Sequence, residues 1–118
     1  MDILEDKLIE LLQGFGFPVF RQGSIADDEP YPPTFFTFWC NDEVENSAYD
    51  NETQSVYYDF DINVYSVDVQ QVYSLLHEAR KKLKENGFVI IRRGYDIGSD
   101  ETSHIGRGMN VAYINTEK

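Results

Sequence analysis

The chain has one cysteine, two histidines, and ten basic residues against 21 acids. Each scarcity excludes something. Cys40 alone can form neither an internal disulfide nor a cysteine-rich zinc site. Its setting in an aromatic segment suits a small thiol packed among rings better than a nucleophile. His77 and His104 stand far apart in sequence, with no partner at metal-ligand spacing, so no metal is expected. A formal net charge of −11 argues against gripping a phosphate backbone, which needs clustered Lys and Arg, and against an anionic membrane surface. The apolar run Phe88-Val89-Ile90-Ile91 falls far short of the roughly 20 residues of a membrane-spanning helix. The opening MDILEDKLIELL carries acids where a secretory signal carries bases. The expectation is a soluble chain working in a reducing compartment. Gly14-Phe15-Gly16 and Gly106-Arg107-Gly108 lack the remaining residues of a phosphate loop, and no serine stands in a nucleophile-elbow context. No enzymatic activity and no cofactor are expected.

What is present suffices for a core. Hydrophobic residues make up 42% of the 118, and seventeen are aromatic. That length suits one domain over residues 1–118. The charge is unevenly placed. Residues 1–68 hold fifteen acids and two bases, a net −13, whereas residues 69–118 hold eight bases and six acids, a net +2. Ordinary solubilising charge is the plain interpretation. The sharper one is a molecule whose acidic half meets the basic half of another copy, a heterologous contact able to close into a ring.

Apolar spacing of three and four predicts a helix over residues 2–13, with Asp2 able to cap it and Gly14 and Gly16 ending it. Residues 17–21 read as a short strand, with Pro18 suggesting a sheet edge. Residues 22–33 are loop. Residues 34–41 (TFFTFWCN) have high strand propensity and place Phe36, Phe38 and Cys40 on one face, with Phe35, Thr37 and Trp39 on the other. The acidic stretch 42–54 reads as a long hairpin loop, with five acids and no base among them. Val56, Tyr58, Phe60, Ile62 and Val64 then alternate with polar residues and tyrosines, the pattern of a half-buried strand. A second helix is expected over residues 67–86, with Asp68 as N-cap, Gly87 as stop, and Val69, Val72, Tyr73, Leu76, Ala79, Arg80 and Leu83 on its inner stripe. Residues 88–93 and 108–115 read as closing strands joined by the polar stretch 94–107. The order α-β-β-β-α-β-β predicts an α+β fold, a mainly antiparallel sheet of four or five strands against two helices.

Several features resemble the small tail-terminator or head–tail joining (neck) proteins of long-tailed bacteriophages and prophages. They are the amphipathic DILEDKLIELL, the passage Tyr31-Pro32-Pro33-Thr34-Phe35-Phe36-Thr37, the strand SVYYDFDINVYS running into the helix VQQVYSLLHEARKKLKENG, and the closing RGMNVAYI. The resemblance implies an α+β subunit that assembles into a ring, commonly of six, on the tail, and that is often a monomer in solution. It also implies contacts with the tail tube protein and a head completion protein, assembly in the bacterial host cytoplasm, and residence in the virion. Candidate interface residues are Phe35 and Trp39, because aromatics often anchor contacts, and Arg80, Lys81, Lys82 and Lys84, which could meet acids of a neighbour. Burial of the two aromatics and a solvated helix face are the plainer alternatives. Asp42, Glu43, Glu45, Asp50 and Glu52 mark a segment that could order on assembly; a solvated hairpin tip is its plain counterpart. A ring lined by such acids would let DNA slide without sticking.

Two other functions compete. An acidic DNA mimic or inhibitor could occupy the groove of a basic host protein, but needs carboxylates spaced like phosphates over one surface. A small hydrolase or transferase could use Asp59 and Asp61, which share a strand face roughly 6.5–7 Å apart; any polar strand face gives that pattern.

Overall fold

The computed structural model describes residues 2–22, 31–47, 54–99 and 103–117. Helix α1 (Asp2–Gln13) leads into strand β1 (Val19–Arg21), then β2 (Thr34–Ser47) and β3 (Gln54–Ser66). Helix α2 (Val69–Glu85) precedes β4 (Val89–Ile97) and β5 (Ile105–Glu117). The strands form one sheet in the order β1-β2-β3-β5-β4. All pairings are antiparallel except β1 with β2. The α+β order expected from the sequence is the order found.

Strict alternation makes β3 the centre of this sheet. Tyr58, Phe60, Ile62 and Val64 are buried on the helix-covered face, alongside Phe36 and Phe38 of β2 and Met109 and Val111 of β5. Leu8 and Leu12 of α1 and Leu75, Leu76, Ala79 and Leu83 of α2 close over them. Each large side chain buried in this way contributes roughly 1.5–3 kcal/mol. Asp68 caps α2 as expected, accepting a hydrogen bond from the Gln70 amide. Asn86 ends the helix, and Gly87, at φ +95°, makes the left-handed turn into β4. The inner stripe of α2 differs from the expected one at four positions, one of them Arg80, which is only partly buried. Leu75 is buried, while Val69 and Tyr73 are exposed. Val69 lies at the first turn, and Tyr73 stands under the Arg107 guanidinium, 4.9 Å from its ring centre.

Three boundaries depart from the sequence reading. Residues 42–54 are not one long loop. β2 continues through Asp42, Glu43 and Glu45 to Ser47, paired with β3 from Gln54 onward. β3 offers a ready ladder on both sides, and backbone pairing with it overrides the weak strand propensity of the acids. Asp50 and Glu52 lie outside the described residues. The expected connection 94–107 is likewise shorter, because β4 runs to Ile97 and β5 starts at Ile105. A register shift between Cys40 and Asp42 leaves Asn41 without a paired position on β3.

Tyr58 pairs with Tyr113, and Phe88 and Lys7 pack on the Tyr113 ring at 5.0 and 4.9 Å. Beyond this level β2, β3 and β5 continue together through residues 44–47, 54–57 and 114–117, roughly 13 Å of extra strand. This extension contributes to a long molecule of 53 × 28 × 23 Å. Both sheet edges are irregular. β1 has only three residues and follows Pro18, and β4 carries two register shifts within Ile90–Tyr95.

Candidate functional site

The basic residues of α2 separate once the helix is formed. Positions 77, 80, 81 and 84 share one face by helical periodicity, while 82 turns away from it. His77, Arg80, Lys81 and Lys84 line one wall of a cleft of 370 Å³, and Ile90 and Arg93 of β4 form the other. Lys82 instead lies over the Phe15 ring at 4.8 Å, on the side facing α1. Of the expected quartet, therefore, three gather and Lys82 does not. Arg93 and His77 join them, placed there by the packing of α2 on β4.

Arg80 organises the cleft. Its Nη1 donates to the Arg93 carbonyl at 2.8 Å, and its Nη2 approaches His77 Nδ1 at 3.1 Å. A guanidinium only donates, so Nδ1 is the acceptor there. Partial burial and the nearby charges of Arg93 and Arg107 push the Arg80 pKa below its ordinary value. Among the described residues no carboxylate lines the cleft. The two ion pairs among the described residues lie elsewhere, Arg21 with Glu5 and Arg107 with Asp96. Two like charges 4 Å apart repel by about 1 kcal/mol in water and about 4 kcal/mol near a protein surface. Four of the chain's ten Lys and Arg are nevertheless collected here, in a molecule of net −11.

The opposite face of the sheet holds the other expected candidates. Phe35 and Trp39 share this face, yet their fates differ. Phe35 is 1% exposed and Trp39 45%. Phe35 is covered by Tyr31, Phe20 and His104 at centroid distances of 5.5–5.9 Å and stacks on Tyr65 at 5.1 Å. It is therefore part of the interior and offers no contact surface; the segment beginning at Tyr31 covers it, rather than a helix. His104 holds that cover in place. Its Nε2 donates to the Pro32 carbonyl at 2.8 Å, leaving Nδ1 to accept from the Ser103 hydroxyl at 3.0 Å. Trp39 remains open to solvent.

Asp59 and Asp61 lie in the middle of the same face. Asn110 bridges them, donating at 2.6 and 3.0 Å, and the Tyr95 hydroxyl reaches Asp61 at 3.4 Å. Burial and the Asp61 carboxylate raise the Tyr95 pKa. Both carboxylates thus have hydrogen-bond donors, as a structural network requires. Among the described residues no group of three or more His, Cys, Asp and Glu could hold a metal ion. None of the helices described is long and apolar enough to cross a membrane.

Sequence reasoning missed Glu5. It reads as a first-turn acid complementing the helix dipole, yet it is 5% exposed and paired with Arg21. The pair ties α1 to β1. Its signal was slight: Arg21 is one of only two bases in the first 68 residues.

No family model matches the chain, and no curated protein matches it. Among solved structures, the fold is similar to a chain from a "Virion of native gene transfer agent (GTA) particle". That likeness has a TM-score of 0.53 at 13% identity and covers 89% of this chain and 81% of the other. At that identity the likeness is one of fold.

Proposed function

We propose that this chain is a structural subunit of a long-tailed phage or prophage virion, a tail terminator or head–tail joining protein that assembles with copies of itself into a ring. The observation that carries this reading is the fold, shared over most of both chains with a component of a virion particle. The uneven charge supports it. The basic cleft on α2 and β4 lies in the half of net +2, and the first 68 residues carry a net −13, so one molecule holds charge of both signs in separate parts of its chain. Tail tube and head completion proteins are the partners this role requires. Trp39, exposed on the uncovered sheet face, is a candidate anchor for such contacts.

Deleting the chain from the genome that encodes it tests the role directly. Electron micrographs of the resulting lysate should show tails of uncontrolled length, or tails and heads that fail to join. Normal joined particles would overturn the reading. The DNA-mimic alternative predicts instead salt-sensitive binding to a basic host protein with no change in particle form.

A further inference from the structure

We propose that the cleft between α2 and β4 is a phosphate-binding site for a ligand that carries several phosphate charges close together. A run of phosphates on a nucleic-acid strand and a free diphosphate or triphosphate share that chemistry. The site goes beyond the virion role and does not depend on it.

The lining carries the inference. His77, Arg80, Lys81, Lys84 and Arg93 surround a concavity of 370 Å³, with Ile90 as its apolar member. That size suits a small-ligand site, for which roughly 300–1,000 Å³ is usual. Lysine and arginine side chains only donate hydrogen bonds. His77 Nδ1 already accepts from Arg80 Nη2 at 3.1 Å, so neutral His77 carries its proton on Nε2 and is a donor there. Among the described residues, no side chain of the lining offers an acceptor oxygen. The matching ligand is rich in acceptors. Arg80 is also held ready for it. The contacts to His77 and to the Arg93 carbonyl, at 2.8 Å, fix its guanidinium and engage only two of five N–H donors.

Charge decides between phosphate and carboxylate. Arg80, Lys81, Lys84 and Arg93 form no ion pair among the described residues. The acids of α2 do not neutralise them, since Glu78 and Glu85 line a separate hollow with Phe15, Lys81 and Lys82. A carboxylate brings one negative charge and two oxygens. A phosphate monoester brings about −1.5 to −2 and three acceptor oxygens, and linked phosphates bring more. Partial burial and the charges of Arg93 and Arg107 lower the Arg80 pKa, a repulsion that a bound polyanion relieves. The net −11 of the whole chain opposes a polyanion from afar, but salt limits that opposition to a range of about 8 Å.

Calorimetric titration of the full chain at low salt tests the site. The probes are inorganic pyrophosphate, tripolyphosphate, a single-stranded oligonucleotide, duplex DNA and a polyglutamate peptide. At least one phosphate probe should bind. Lys84→Gln with Arg93→Gln should weaken that binding at least about tenfold, because both lose charge-assisted hydrogen bonds. Lys82→Gln removes a charge from the same helix outside the cleft and should leave binding unchanged. Circular dichroism checks folding; if the double variant fails to fold, Lys81→Gln gives the same comparison. Tripolyphosphate binding without retention of either DNA assigns a free ligand, and retained DNA that tripolyphosphate displaces assigns the strand; either supports the site. The proposal is overturned if no phosphate probe binds, if the double variant binds like wild type, or if Lys82→Gln weakens binding equally. Polyglutamate bound more tightly than every phosphate probe would reassign the cleft to an acidic protein segment and overturn it as well.

Discussion

β3 presents two different surfaces from one run of residues. Tyr58, Phe60, Ile62 and Val64 lie in an apolar layer under two helices. Asp59, Asp61, Asn63 and Tyr65 lie on a face held by hydrogen bonds and ring contacts instead. There Asn63 donates to Thr37 at 3.3 Å, and Asn110 bridges the two aspartates. The covered face supplies most of the stability through burial. The open face supplies register, because pairs such as Asn63 with Thr37 and Asn110 with Asp61 bond only when the two residues stand directly opposite. Gly108 shows how tight that register is. A side chain there would meet Asn63 Oδ1 at 2.5 Å and the Tyr95 ring at 3.1 Å.

The two faces should respond differently to substitution. The largest effect is expected on the covered side. Phe60→Ala removes a fully buried ring and should cost about 3–5 kcal/mol, read as a lower midpoint in urea unfolding. On the open side, Asn110→Ala should cost only about 1–2 kcal/mol, by removing the donor between Asp59 and Asp61. A loss equal to that of Phe60→Ala would mean that the polar face carries the core's share of stability. The smallest effect concerns Tyr95. Its pKa is raised in the folded chain, so the folded state holds the phenol proton longer than the unfolded chain does. Stability is then unaffected below about pH 10 and falls as pH rises through the interval above it. Tyr95→Phe should remove that part of the alkaline slope, and unfolding midpoints between about pH 9 and 11 would show it.

The covered face was legible in the sequence because its cause is local. Period-two alternation in β3 and the Asp68 and Gly87 boundaries of α2 require no knowledge of partners. The features that escaped depend on contacts distant in sequence. Glu5 is buried because Arg21 folds beside it. Phe35 is interior because Tyr31 and His104, 73 residues apart, meet over its ring. The end of β2 from Asp42 to Ser47 is acidic and poor in strand formers, and is strand because β3 is there to pair with it. The cleft was half visible. A cluster of bases on α2 is plain in the sequence, but the separation of Lys82 and the arrival of Arg93 follow from how α2 lies on β4.

The irregular edges of the sheet carry a further consequence. An edge strand that is long and flat will accept another strand, and a chain built that way keeps growing, since each addition exposes a fresh edge. Here β1 covers β2 only opposite Phe36, Thr37 and Phe38 and begins after a residue with no amide proton, while β4 is twice displaced from regular pairing and bears Arg92 and Arg93. Backbone-templated polymerisation is thereby disfavoured along β1 and β4, whereas the end of β2 past β1 has its acids Asp42, Glu43 and Glu45 to deter a further strand. Along β1 and β4 a contact with another chain is left to side chains rather than to the backbone ladder.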